Sequence, residues 1–126
     1  MTPLPVSISD AELIAFLDQW AALLEQKDYE SAYAATDYTR GTGWTPALIR
    51  EAVERHGERV TVNGDPIGVR TLVKEVTRWP TKPDGSCGDI WYDLYIDGRA
   101  SDLTALFELR PTESGLTVHL SDISVR

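Results

Sequence analysis

The N-terminal part of the chain carries apolar residues at helical spacing. Apolar side chains recur three and four positions apart from Leu13 to Leu24, which is typical of a helix with one buried face. Ser9 and Glu12 just before this run form the S-x-x-E pattern of a capping box, in which each residue's side chain bonds the other's backbone N–H. The pattern therefore predicts a first helix that begins near Asp10 and lies deep against the rest of the protein.

Two further helices are predicted before the strands begin. Asp28 is the residue type that caps a helix N-terminus, and the segment after it is short and amphipathic. Thr45-Pro46 marks the start of a third helix, because Thr is a capping residue and proline at the first helical position leaves no N–H unpaired. Gly57 predicts the end of that helix, since glycine commonly follows the last turn in a left-handed conformation. His56 would then lie in the last turn.

After residue 57 the apolar pattern alternates with a period of two, as it does in strands. Strands are predicted over residues 69–79, 90–96 and 102–110, and from residue 116 onward. Asp97-Gly98 is a typical two-residue hairpin turn between the second and third of these. Leu120 and Ile123 have opposite parity in the last strand, which predicts a β-bulge near Ser121-Asp122.

Helices that precede the strands favour an α+β fold, with three N-terminal helices packed on one face of a curved, mainly antiparallel sheet of three to four strands. The length of 126 residues suits a single α+β domain over residues 1–126. This cone-like shape is similar to cystatin-like cones and to the nuclear-transport-factor-like fold. The analogy holds at the level of the fold and implies no function.

Two short motifs in the C-terminal half carry a closer resemblance. Residues 98–104 read GRASDLT, and residues 122–125 read DISV. They resemble a family of small uncharacterised bacterial domains that have a Gly-Arg-Ser-Asp-Leu-Thr hairpin and an Asp-Ile-x-Val C-terminus. This chain departs from that pattern by the extra Ala100 within the hairpin motif. The resemblance implies no assigned activity and therefore no catalytic residue.

Composition and charge narrow the classes of function. Apolar residues make up 42% and charged residues 25% of the chain, as in ordinary globular proteins. A formal net charge of −8 argues against nucleic acid and against anionic membrane surfaces as partners. With Cys87 as the single cysteine, and without a secretory signal or an apolar span, we expect a cytoplasmic protein without disulfides.

The charge is distributed unevenly along the chain. Residues 1–39 carry seven acidic and one basic residue, residues 40–83 carry five and eight, and residues 84–126 carry eight and three. The basic middle could bind an acidic ligand, but we expect it to pair with the acidic segments across the fold, as weak surface ion pairs.

Motifs of the common enzyme and metal-binding classes are absent from the sequence. The spacing of His, Cys and carboxylate residues matches no standard zinc or calcium site, and no phosphate-binding, dinucleotide-binding or nucleophile-elbow motif occurs. The sequence therefore predicts no cofactor and no metal, identifies no catalytic residue and favours no enzyme class.

One group of side chains is a candidate binding site. Strand parity predicts that one face of the sheet carries an imidazole, carboxylates and aromatic rings. Its members are Trp91, Asp93, Tyr95, Leu106, Glu108 and His119. Such a face is compatible with a protein interface, including a homodimer, with a solvated sheet face, or with the wall of a ligand pocket.

Two hypotheses of function follow from this face. The first is a non-catalytic acidic module that binds a protein partner, for example an immunity-type protein that neutralises a basic toxin, because acidic surface speeds association with a cationic partner. The second is a cone-shaped pocket protein or enzyme, isomerase- or hydrolase-like, that uses Asp93, Glu108 and His119. The pocket requires free space between sheet and helices. This hypothesis would be excluded if that space were filled by the side chains of Phe16, Trp20, Phe107 and Leu109.

Overall fold

The computed structural model describes residues 1–38, 43–63, 72–96 and 99–125. Within these ranges the order is α1 (Asp10–Glu25), α2 (Tyr29–Ala35), α3 (Pro46–Asn63), β1 (Lys74–Arg78), β2 (Gly88–Ile96), β3 (Arg99–Thr112) and β4 (Gly115–Val125). The strands form one antiparallel sheet in the order β1-β2-β3-β4. The predicted α+β fold class, with helices preceding the strands, is confirmed.

All three helices begin where their capping residues predict. The Ser9 hydroxyl accepts the backbone N–H of Glu12 at 3.1 Å, and the Glu12 carboxylate accepts the backbone N–H of Ser9 at 3.3 Å. The side chains of Asp28 and Thr45 each accept a backbone N–H three residues further on, at 3.2 Å. The backbone N–H groups in the first turn of a helix have no acceptor within the helix, and these bonds supply one.

The predicted end of α3 is wrong, because the helix continues through Gly57 to Asn63. A glycine within a helix costs only about 1 kcal/mol relative to alanine. Glu58 and Arg59, which follow it, favour helix formation. His56 therefore does not lie in the last turn, and its side chain is outside the described part of the structure.

The first strand is shorter than the predicted span of residues 69–79. β1 begins at Lys74 and ends at Arg78, and residues 69–71 lie outside the described ranges. The ladder ends because the N–H of Val73 donates to the Asp93 side chain, Oδ2, at 2.8 Å instead of to a backbone carbonyl of β2. A side-chain acceptor thus replaces one of the two backbone bonds of the next pair, in which Asp93 N still donates to Val73 O at 2.9 Å.

The bulge predicted in the last strand is confirmed. Phe107 pairs with Leu120, whereas the preceding residue Leu106 pairs with Asp122. Ser121 is therefore the extra residue of β4. Because of this extra residue, the side chain of Ile123 again points toward the core.

The sequence did not predict a second irregularity, between β2 and β3. Asp93 pairs with Thr104, but Tyr95 pairs with Ala100, so β3 contains extra residues at this point. The predicted hairpin turn at residues 97–98 lies outside the described ranges, although its flanking residues Ile96 and Arg99 are paired.

The helices cover one side of the sheet, and aromatic packing fills the space between them. Trp20 of α1 meets Phe107 of β3 edge-to-face, with ring centroids 4.9 Å apart. Trp20, Phe107 and Leu109 are each 1% exposed, and Phe16 is partly buried against the same core. Burial of each large apolar side chain contributes about 1.5–3 kcal/mol, so this packing holds the helical layer on the sheet.

Ion pairs join α1 to β1. Lys74 Nζ lies 2.8 Å from Asp18 Oδ1, and Arg78 Nε lies 2.8 Å from Asp10 Oδ1. Arg78 also donates to the carbonyl of Ile8 at 2.7 Å. Part of the basic middle therefore pairs with the acidic N-terminal segment, as the charge distribution predicts, and does so on the helix-facing side of the sheet.

Candidate functional site: the outer sheet face

The side of the sheet opposite the helices is formed by cross-strand rows of side chains. One row runs from Glu75 through Trp91 and Leu106 to Asp122, and the next from Thr77 through Asp89 and Glu108 to His119. A third row contains Asp93, Thr104 and Ser124. These eleven residues are called the outer sheet face below.

The first row places apolar side chains between acids. Trp91 and Leu106 are paired neighbours at its centre, and both are half-buried. Glu75 at one end is exposed, and Asp122 at the other end is half-buried. The indole Nε1 of Trp91 donates to Asp93 Oδ1 at 2.8 Å, which fixes the orientation of the ring.

The second row contains two acids, as the first does, and its Glu108 is paired with a base. Thr77 and Asp89 are exposed. Glu108 Oε1 accepts from Arg110 at 2.9 Å, and the Glu108 side chain is 30% exposed. Asp89, two residues from Trp91 along β2, and Glu75, its cross-strand neighbour on β1, are thus the exposed acids nearest to Trp91 in the ladder.

Asp93 is buried and fully occupied by donors from three parts of the chain. It is 1% exposed. Its Oδ2 accepts from Val73 N at 2.8 Å, and its Oδ1 accepts from Trp91 Nε1 at 2.8 Å and from Thr104 Oγ1 at 2.7 Å. These bonds balance the cost of burying a carboxylate, so Asp93 supports the face from within and does not touch a partner.

His119 is also buried, at 2% exposure. Its Nε2 lies 2.9 Å from Thr117 Oγ1 and 3.5 Å from Asp37 Oδ2. Asp37, which follows α2, also donates its backbone N–H to the carbonyl of Val118 at 2.8 Å. The sequence did not identify Asp37 as a neighbour of His119, because the contact joins segments that are distant in the chain.

The three groups of the enzyme hypothesis do not converge. Asp93 pairs with Thr104, four residues from Glu108 along β3, which corresponds to roughly 13 Å. Glu108 and His119 are cross-strand neighbours, but Glu108 bonds Arg110 whereas His119 lies against Asp37. Trp20 and Phe107 pack against each other between α1 and the sheet, where the pocket hypothesis needs free space.

Tyr95 extends the apolar surface at one end of β2. It lies beyond the irregularity at Asp93 and is 50% exposed. Val73 is 46% exposed, and its carbonyl accepts the backbone N–H of Asp93 at 2.9 Å. Tyr95 and Val73 are therefore exposed apolar side chains at this end of the sheet.

Sequence reasoning missed two acids of this face, Glu75 and Asp89. β2 begins at Gly88 and not at Ile90, so the parity of Trp91 extends to Asp89. Glu75 lies within the predicted strand of residues 69–79, and its alternation with Val76 is the signal that could have identified it.

The single cysteine and the clustering of potential metal ligands also bear on the chemistry of the protein. Burial raises the pKa of the Cys87 thiol, which leaves it mostly protonated and unreactive. In the described ranges, no three His, Cys, Asp or Glu residues come together as a group that could hold a metal ion.

Comparison with known proteins identifies a family without an assigned role. Residues 21–126 match a family described as Domain of unknown function (DUF7668). The chain belongs to the DUF7668 family. The match begins within α1 and includes the whole outer sheet face, so the DUF7668 domain contains the candidate site. No curated protein and no solved structure shows significant similarity to the chain.

DUF7668 membership agrees with the resemblance to an uncharacterised domain family. In the part of this DUF7668 chain that the structure describes, no helix is both long enough and apolar enough to cross a membrane.

Proposed function

We propose that this protein is a non-catalytic acidic module that binds a basic protein partner on its outer sheet face. An immunity-type protein that neutralises a basic toxin in the bacterial cytoplasm is the specific form of this proposal. The observation that carries it is the position of Trp91 and Leu106 between acids, with Glu75 and Asp89 exposed beside them.

The chemistry of this face suits a cationic protein. Tryptophan at the centre of a contact is among the residues that contribute most to protein–protein binding. Here the ring is already fixed by its bond to the buried Asp93, so binding costs little further side-chain entropy. Carboxylates around the ring favour lysine and arginine on the partner.

The net charge adds a kinetic advantage. At −8, the whole molecule attracts a basic partner before contact and raises the association rate, an effect that salt weakens. The Glu108–Arg110 bond leaves Glu75 and Asp89 as the acids that best fit this role, since both are exposed.

Photo-crosslinking from two positions tests the proposal. A benzophenone amino acid replaces Thr77 on the outer sheet face, and in a separate chain it replaces the exposed Ala34 of α2. Both chains are irradiated in the native cells, and the adducts are identified by mass spectrometry. We expect one basic protein to crosslink from position 77 and not from position 34.

The captured protein is then purified, and its affinity for the wild-type chain and for Glu75→Lys is measured by calorimetry. We expect at least about tenfold weaker binding for the variant, equivalent to about 1.4 kcal/mol. Equal crosslinking from both positions, an acidic captured protein, or unchanged affinity of Glu75→Lys would overturn the proposal. Growth arrest by the captured protein in cells without this chain would support the immunity-type form, and normal growth would exclude it.

A further inference from the structure

The hydrogen bonds of β1 show which of its backbone groups face away from the sheet. Asp93 N donates to Val73 O at 2.9 Å, and Trp79 N donates to Cys87 O at 3.0 Å. In an antiparallel pair, alternate residues direct their N–H and C=O groups toward the neighbouring strand. Odd-numbered residues of β1 therefore bond β2, and the N–H and C=O groups of Lys74, Val76 and Arg78 point outward.

The two edges of the sheet differ. At the β4 edge, Leu4 and Leu116 exchange backbone bonds of 2.8 and 2.7 Å, and Asp37 bonds Val118. At the β1 edge, none of the described residues pairs with the strand, and all of β1 except the half-buried Val76 is exposed. Among the described residues, the β4 edge is therefore covered, whereas the β1 edge has no backbone partner other than β2.

The described side chains of β1 lie on the two faces of the sheet. Lys74 and Arg78 extend to the carboxylates of α1, Asp18 and Asp10, on the helix-facing side. On the outer sheet face, Glu75 and Thr77 are exposed. A strand placed here would have an acidic neighbour on its outer side, beside Glu75.

We propose that the β1 edge receives an extended segment of the basic partner by β-strand addition, with lysine or arginine side chains on the outer side beside Glu75. The inference rests on the proposed function, because it takes the partner to be basic. In such addition, backbone hydrogen bonds supply affinity and alternate side chains supply specificity.

A second copy of this chain fits the edge less well. Antiparallel pairing of two β1 strands centred on Val76 would place Lys74 of one copy opposite Arg78 of the other. Like charges directly opposite each other destabilise a strand pair. The short length of β1 also limits indiscriminate pairing between copies.

A peptide titration followed by NMR tests the inference. The probe is the capped peptide Thr-Lys-Val-Lys-Val-Lys-Thr, whose lysines share one face of a strand, and the control peptide has glutamate in place of each lysine. We expect the lysine peptide to shift the amide signals of Lys74, Val76 and Arg78 and to slow their hydrogen exchange. The glutamate peptide should bind at least about tenfold more weakly, because it faces Glu75.

Val76→Pro removes one outward N–H, at a position where an edge strand tolerates proline. Val76→Ile keeps that N–H and is the matched control, and circular dichroism verifies that both variants fold. We expect Val76→Pro to lose the amide shifts at Lys74 and Arg78, and Val76→Ile to retain them. Equal binding by both variants would contradict strand addition at this edge.

The titration also separates the two proposals. Shifts confined to Trp91 and Asp89 would overturn strand addition but agree with binding on the outer sheet face. Amide shifts of equal size in β1 with both peptides would show that the edge does not prefer a basic segment, and this would contradict the proposal of a basic partner. An absence of shifts at millimolar peptide would overturn strand addition, whereas the crosslinking from position 77 would still decide the proposed function.

Discussion

At the scale of single residues, the Asp93 carboxylate holds three segments of the chain together. It receives hydrogen bonds from Val73, Trp91 and Thr104 while 1% exposed. We predict that Asp93→Asn destabilises the protein by about 2–3 kcal/mol, because hydrogen bonds to a charged group are strong and an amide NH₂ would face a donor. Urea unfolding monitored by tryptophan fluorescence measures the change.

Asp89→Asn is the matched control for this prediction. It makes the same chemical change on the same strand, four residues from Asp93 toward the exposed end of the face. We expect it to alter the free energy of unfolding by less than about 0.5 kcal/mol. Equal stability of the two variants would show that Asp93 has no special structural role.

At the scale of elements, the link between α1 and the sheet depends on pH. Partial burial opposes ionisation of Asp18, but hydrogen bonds from Lys74 and Tyr92 and the charge of Lys74 outweigh it, so the pKa of Asp18 lies below its usual 3.8. Its stabilising contribution is therefore present above pH 3.8 and is lost as the pH falls through the lowered value.

We predict that Asp18→Asn reduces the loss of stability in acid. The measurement is the free energy of unfolding in urea as the pH is lowered from neutral to below 3.8. Tyr92→Phe removes one of the hydrogen bonds to Asp18 and should produce part of the same effect. An acid profile of Asp18→Asn that parallels the wild type would refute the prediction.

Gly57 provides a second prediction for an element, α3. Because the helix continues past this residue, Gly57→Ala should raise the free energy of unfolding by about 0.5–1 kcal/mol. Ala52→Gly, the reverse change in the same helix, should lower it by at least a similar amount. Thermal unfolding compares the two, and a destabilised Gly57→Ala would instead indicate a left-handed helix end at that residue.

At the scale of the whole molecule, the ion pairs between α1 and β1 engage basic residues on the helix-facing side. The exposed acids Glu75 and Asp89 therefore remain on the opposite side. We predict that the double variant Glu75→Gln/Asp89→Asn weakens binding of the captured basic partner by about tenfold or more and reduces the salt dependence of its association rate.

The control for this prediction is Glu30→Gln/Glu113→Gln, which removes the same charge from exposed positions in α2 and in the β3–β4 turn. We expect it to weaken binding less than about threefold, since distant charges act only through the screened field. Stopped-flow kinetics at several salt concentrations measure both variants. Equal effects would assign the attraction to net charge and not to the outer sheet face.

The sequence by itself determined the local features of this protein. The capping residues Ser9, Asp28 and Thr45 fixed the helix starts, because their bonds reach only a few residues along the chain. Strand alternation predicted that Leu106 and Glu108 of β3 share one face, and it predicted the bulge near Ser121, since parity follows directly from side-chain direction. The sequence analysis did not predict that α3 continues past Gly57. One glycine does not end a helix when the residues after it favour helix formation.

Only the tertiary structure decided which members of one sheet face are accessible. Parity grouped Trp91 with Asp93 and His119, but burial and hydrogen bonding separate them. Asp93 is buried and accepts hydrogen bonds from Val73 and Thr104, and His119 is buried with its Nε2 3.5 Å from Asp37 Oδ2. These contacts join residues far apart in the chain, and no local pattern encodes them. The accessible part of the face and the open edge of β1 therefore follow from how the segments pack.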